Sequence, residues 1–373
     1  MSMRVSYKKQ IILLILFICI YFFSTEVFLQ FYNFTDSYCR VGLVNDVDFD
    51  IQLKDELCRD RNTLRVDPVT LDITPNQDSE TIHINNHGFR GDDISIAKTQ
   101  GQYRIFMLGG STMQGDLVAD YQTIPYYLQQ LFNQRNPELN IQVINAGCSS
   151  CHSFHETNKI KEKIINFDPD LIFVYDGWND AVREVPNKLK GKISNAQIHV
   201  QEEQMSVIME VSEFLRNFEI FPTINRIINY GGDSYLSLNR TIVEYDGRYT
   251  DEKIPEWVDR WNNTCNYLET HGINSVISVQ PLLGSSNREL TKEEKLWYTR
   301  YDNEHLLHDL EKYASHLSKL QDCTLTLDLR DGFDYVNKPL FFDNGHVGPL
   351  GNKIMAERIY MEILPIIEES KNK

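Results

Sequence analysis

The sequence predicts a three-layer α/β/α protein with a central parallel five-stranded sheet, preceded by an N-terminal transmembrane helix. Three observations carry this. Five short β-rich runs alternate with longer stretches of helical period between residues 103 and 368. The first of these runs, "YRIFML" (103–108), reads as a buried strand. Ahead of them, one unbroken apolar run follows a basic start.

That run is Ile11 to Phe23, thirteen residues, behind Arg4, Lys8 and Lys9. A cleaved signal peptide and a membrane anchor both begin this way. No small-x-small cleavage site follows, because Glu26 and bulky Val27-Phe28-Leu29 come next. The segment therefore reads as an uncleaved anchor over 11–30, with a cytoplasmic basic tail at 1–10. Positive residues stay inside, which places the remainder outside the cytoplasm. Cysteine usage agrees. Beyond Cys19, which lies in the apolar run, the chain has Cys39, Cys58, Cys148, Cys151, Cys265 and Cys323, an even number suited to disulfides in an oxidising compartment. Sequons at Asn33, Asn239 and Asn262 point weakly the same way.

Residues 31–100 are polar and irregular, with one short strand at "TIHIN" (Thr81–Asn85), and read as a stalk and a strap. From 101 to 373 the α/β pattern holds. "YRIFML" (103–108), "IQVIN" (141–145), "LIFVY" (171–175), "NSVISVQP" (274–281) and "TLTLDL" (324–329) are the strands. Helices are expected near 123–133, 154–166 and 350–368. An insert at about 181–255 carries the amphipathic "EEQMSVIMEVSEFLRNF" (202–218). The formal charge is −16 overall; with three positive charges and no acid in the first 23 residues, the remainder stands at −19. That disfavours nucleic acid and anionic membrane surfaces as partners of the main body.

In a parallel sheet of this kind the site forms at the C-terminal ends of the strands. Just after them stand Gly109-Gly110-Ser111-Thr112, Ala146-Gly147, Asp176-Gly177-Trp178-Asn179-Asp180 and, before the last helix, Asp343 and His346. A serine hydrolase needs a nucleophile, a base, a group that orients the base, and donors for the oxyanion. Ser111, His346 and Asp343 meet the first three needs. The N–H groups of Ser111 and Gly147 and the Asn179 amide meet the fourth. Trp178 and Asp180 are candidate pocket residues. No metal or cofactor is required by this chemistry.

"FMLGGST", "INAG", "VYDGWND" and "FFDNGHVGPLGN" resemble the four signature blocks of the SGNH (GDSL-like) hydrolase superfamily, which carry Ser, Gly, Asn and His in this chain order. The resemblance runs from about Ile84 to Ile367, since "INNHGFRG" is similar to the lead-in of membrane-anchored extracytoplasmic members. It implies a flavodoxin-like fold, Ser111 as nucleophile, Asp343 and His346 as its partners, and Gly147 and Asn179 as oxyanion donors. One departure is Gly110, where the family name puts Asp.

"CSSCH" (Cys148–His152) matches the c-type haem attachment pattern, and with His155 it could be a Cys₂His₂ metal cluster. It directly follows the second block, where a covalent haem would fill the mouth of the site. A disulfide or two small buried thiols is the expectation. The function implied is a serine-dependent esterase acting outside the cytoplasm, removing short acyl (acetyl) groups from glycans or similar esters through an acyl-enzyme. An O-acyltransferase, a lipase-like lipid esterase and a non-catalytic glycan-binding protein are the alternatives, and the oligomeric state is open.

Overall fold

The computed structural model describes residues 7–35, 53, 56–57, 60–61, 63–67, 70–182, 248–300 and 303–372. Cys39, Cys58, the Asn239 sequon and the amphipathic 202–218 segment lie outside them. Two compact units divide the chain. One comprises Met1–Tyr38 and Gly191–Tyr245, the other Cys39–Lys190 and Asp246–Lys373.

In the first unit the described element is helix α1 (Tyr7–Thr35). Its apolar side chains are largely exposed, from Ile12 at 56% to Phe23 at 69%. Among the described residues no helix is long and apolar enough to cross a membrane. The expected transmembrane helix is thus corrected to a helix with a shorter apolar stretch. The thirteen apolar residues end at Ser24, Thr25 and Glu26, against the roughly 20 that a hydrocarbon core demands.

The second unit begins with a short antiparallel pair, β1 (Gln77–Asp78) and β2 (His83–Ile84). Then come β3 (Tyr103–Gly109), α2 (Ser111–Gln114), α3 (Ile124–Arg135), β4 (Ile141–Asn145), α4 (Ser153–Glu162), β5 (Leu171–Asp176) and α5 (Trp178–Val182). The chain resumes with α6 (Arg248–Thr270), β6 (Asn274–Val279), α7 (Lys292–Arg300), α8 (Asn303–His316), β7 (Leu325–Asp328) and α9 (Pro349–Lys371). The sheet order is β4-β3-β5-β6-β7, every pair parallel. The first strand after the lead-in therefore has neighbours on both sides, and strand order reverses there.

Side chains alternate across a strand, and β3 shows why a continuous apolar run was needed. Ile105 and Met107 enter one core with Leu128 and Phe132 of α3 and Ile359 and Ile363 of α9. Phe106 and Leu108 enter the other, with Ile160 of α4, Trp257 and Trp261 of α6, and Leu310 of α8. Each such side chain contributes about 1.5–3 kcal/mol by leaving water. Cys265 on α6 is bonded to Cys323, 58 residues on, just before β7. Closing a loop of that length is worth roughly 4 kcal/mol in the chain-entropy model. The Asn262 sequon is built into α6: Asn262 Oδ1 accepts the Gln321 N–H at 2.6 Å, and Thr264 is fully buried.

The lead-in is tied to this unit by Arg90. Its N–H donates to Asn145 O at the end of edge strand β4. Its buried guanidinium donates to Gln114 O (2.9 Å), Gly115 O (2.6 Å) and Val118 O (2.7 Å) and pairs with Asp120 at 2.6 Å. These carbonyls follow the short helix that begins at Ser111. Without Arg90, Gln114 O would keep the Asn145 amide (3.2 Å) and Gly115 O the Val118 N–H (3.1 Å), but Val118 O would lose its donor and Asp120 its ion-pair partner. Arg90→Ala is therefore expected to lower the unfolding free energy in urea by about 1–3 kcal/mol; unchanged stability would contradict this role.

Candidate active site

Ser111 opens α2 immediately after β3. As a first-turn residue its N–H has no acceptor within the helix. Gly110 before it is required by close approach: a Cβ there would lie 2.4 Å from Asn179 Nδ2. The family's Asp could not stand at this position without displacing Asn179.

His346 and Asp343 sit in the loop ahead of α9. The Phe341–Val347 bridge and the bond from Phe342 N–H to His346 O close that loop, and buried Phe341 and Phe342 root it in the core. The His346 ring joins both partners. Its Nδ1 lies 2.8 Å from Asp343 Oδ2, and its Nε2 lies 2.8 Å from Ser111 Oγ. With Asp343 ionised, Nδ1 carries the proton and Nε2 accepts from the serine hydroxyl. Asp343 Oδ1 in turn accepts the N–H groups of Gly345 (2.8 Å) and His346 (2.7 Å), which fixes the carboxylate.

The electrostatics follow. Burial alone would raise Asp343, but the His346 charge, its hydrogen bond and the two backbone donors outweigh burial and hold the carboxyl below its usual range. Burial likewise opposes charge on His346. The charge and hydrogen bond of Asp343, with the charge of Asp116, overcome it and raise the imidazole above its ordinary value, while Arg61 acts in the other direction.

Asp116, Arg61 and Gln114 are site neighbours that the strand-end reading passed over. Asp116 is buried, paired with Arg61 at 3.0 Å, and accepts the Ser149 hydroxyl. Gln114 Oε1 accepts the Ser149 N–H. Only the position of Asp116, five residues after Ser111, hinted at proximity; Arg61 arrives from the lead-in by tertiary folding.

Asn179 stands at the start of α5, after β5. The turn before it is pinned by Asp176, which accepts the Gly177 N–H (2.7 Å) and the indole N–H groups of Trp257 (3.1 Å) and Trp261 (3.3 Å). Burial and the adjacent Asp180 charge push the Asp176 carboxyl well above its usual range. Asn179 Nδ2 donates one proton to Cys151 O at 2.6 Å, and an amide carries two.

Gly147 stands two residues beyond the end of β4. It packs so closely that a Cβ would lie 2.4 Å from Gln114 N, yet its single N–H donates to Asn145 Oδ1 at 3.1 Å. Trp178 packs edge-on against the His346 ring, with centroids 5.0 Å apart. Asp180 is buried and accepts the Ser153 N–H at 2.9 Å and the Ser153 hydroxyl at 2.5 Å, so its carboxylate faces α4.

The cleft itself is small, about 180 Å³ with its open mouth included. Ser111, Asp116, Leu117, Val118 and His346 are among its walls. Cys148 and Cys151 are joined to each other in a buried disulfide. That uses up both sulfurs and removes the haem-attachment reading; among the described residues no His, Cys, Asp or Glu cluster could hold a metal ion.

A serine, histidine and aspartate in one hydrogen-bonded line, at the strand ends of a parallel α/β sheet, is the constellation of a serine hydrolase. The family model described as GDSL-like Lipase/Acylhydrolase matches residues 105–359, and the chain belongs to that family. It is an ester-hydrolysing enzyme. A search of the curated proteins finds no match. Among solved structures the chain is similar to Axe2, an acetylxylan esterase from Geobacillus stearothermophilus, at 15% identity and a TM-score of 0.38, over 70% of this chain and 94% of that one. It is similar also to the acetyl xylan esterase AlAXEase, at 13% identity and a TM-score of 0.37, over 70% and 99%.

The charge balance around His346 has a direct readout. Followed by NMR, its imidazole should titrate with a midpoint above 6.5. In Asp343→Asn the largest raising influence is gone, so the midpoint should fall. A midpoint that stays put in Asp343→Asn would contradict the assignment of cause.

Proposed function

We propose that this enzyme removes short acyl groups, acetyl above all, from glycan esters outside the cytoplasm, through an acyl-enzyme on Ser111. The observation that carries the proposal is the pair of 2.8 Å bonds running from Ser111 Oγ through His346 to Asp343.

In the proposed mechanism His346 Nε2 takes the hydroxyl proton as Ser111 Oγ attacks the ester carbonyl, and Asp343 stabilises the imidazolium that forms. The oxyanion is met by the Ser111 N–H and the second proton of Asn179 Nδ2. The Gly147 N–H joins them by leaving its 3.1 Å bond to Asn145 Oδ1. His346 then protonates the leaving alcohol, which departs and leaves the acyl group on Ser111. In the second half His346 deprotonates water as it attacks the acyl carbonyl, then gives that proton to Ser111 Oγ as the acyl–oxygen bond breaks, releasing the acid and restoring the serine. A cleft of about 180 Å³ suits an acetyl group better than a long chain.

Location outside the cytoplasm rests on other features. The Cys148–Cys151 and Cys265–Cys323 disulfides favour an oxidising compartment. The exposed apolar side chains of α1, behind Lys8 and Lys9, favour a membrane tether. O-acetylated glycans are among the acyl esters such a compartment offers. The full chain should therefore sediment with membranes in physiological salt, and deletion of residues 1–30 should release it; recovery of the full chain in the soluble fraction would refute the tether.

Ser111→Ala and His346→Ala should each lower kcat by at least ~10⁴ with melting temperature preserved. On simple aryl esters, kcat/KM should fall from acetyl to butyryl to octanoyl. Full activity in either variant sinks the mechanism. A preference for octanoyl sinks the short-acyl reading alone.

A further inference from the structure

The disulfide that replaced the haem reading stands against the oxyanion side of the site, and its loop is held at both ends by catalytic elements. At one end the Ser149 N–H donates to Gln114 Oε1, and the Ser149 hydroxyl to Asp116 Oδ2. At the other, Cys151 O accepts the Asn179 amide at 2.6 Å. Between them Ser150 has φ +68°, in the left-handed region that a non-glycine residue avoids unless its surroundings impose it. The Cys148 N–H anchors the start of the loop to Gly109 O, at the end of β3, and the Cys151 N–H donates back to Cys148 O. Both cysteines are 1% exposed.

We infer that the Cys148–Cys151 disulfide is a positioning device for the oxyanion hole: it locks the Cys151 carbonyl, and through it aims the Asn179 amide at the carbonyl oxygen of the substrate. Asn179 Nδ2 lies against Gly110, one residue from Ser111. The orientation of that amide depends on where its acceptor stands. Without the S–S bond, nothing in the covalent chain keeps Ser150 left-handed; relaxation there turns the Cys151 peptide and lets the amide rotate. The disulfide touches no reacting atom and acts through Asn179. The inference rests on Asn179 being an oxyanion donor, as proposed above.

A double-mutant cycle tests it with acetyl ester turnover as the readout. Asn179→Ala alone should lower kcat by ~10²–10³. The Cys148→Ala/Cys151→Ala pair should lower kcat about tenfold or more with KM within about twofold, as loss of an interaction made only in the transition state does. Placed on Asn179→Ala, the cysteine pair should cost less than about twofold further, because its effect passes through the missing amide. A merely structural disulfide would instead give independent, multiplying losses. Should the alanine pair fail to fold, Cys148→Ala/Cys151→Val refills the buried apolar volume and takes its place. Unchanged kcat in the pair, multiplying losses in the cycle, or failure of both pairs to fold would each overturn the inference. A wild-type enzyme that turns over no ester would instead defeat the reading beneath it.

Discussion

Pairing of Gly109 with Tyr175 closes the β3–β5 ladder at its C-terminal end, and the meeting of Ser111 with Asn179 depends on it. One residue beyond that pair on β3 comes Gly110, then Ser111. On β5 come Asp176 and the turn to Asn179. Because the two strands are parallel neighbours, a nucleophile and an amide donor 68 positions apart in the chain meet with no room for a side chain between them. The third strand of the group, β4, brings the Gly147 loop to the other side of β3. His346 has to be delivered from beyond β7, and the small loop closed by the Phe341–Val347 bridge does this, rooted at its start by buried Phe341 and Phe342.

The charges at the site are arranged against burial. Asp343 stays ionised because the His346 side chain and two backbone N–H groups face it; His346 is raised because Asp343 and Asp116 outweigh its own desolvation. Behind Asn179 the balance goes the other way. Asp176 and Glu156 are buried and pushed well above the usual carboxyl range, while Asp180 is lowered by His152, Asp176 and Ser153 against the opposing effect of burial. The acid-rich layer under α5 can therefore be packed without several negative charges sharing one dry space.

Much of this was legible in the sequence, for physical reasons that differ by element. Apolar runs such as 105–108 and 171–175 could be read as strands because a sheet covered on both faces favours apolar residues on successive positions. Strand-end placement singled out Ser111 and Asn179, and the three-residue spacing of Asp343 and His346 allowed their contact. What stayed hidden is what tertiary contact decides. Arg61 reaches Asp116 across 55 positions. Asp180, read as a pocket residue, turns to Ser153, and Trp178 packs on His346 because both fill the same corner. The N–H of Gly147 is held by Asn145 two residues earlier, a bond that periodicity cannot show. The pairing of Cys148 with Cys151 was one of several states that the same spacing allows. At the N-terminus the apolar run was plain, but the polar residues after Phe23 limit how far it extends.

The central claim is that Ser111 is activated by His346 at the end of the β3–β5 ladder. Labelling the folded protein with a fluorophosphonate probe and mapping the modified peptide by mass spectrometry tests it most directly. The account predicts one adduct, on Ser111, lost in His346→Ala. A folded, disulfide-intact protein that takes no label, or takes it on another residue, would contradict it.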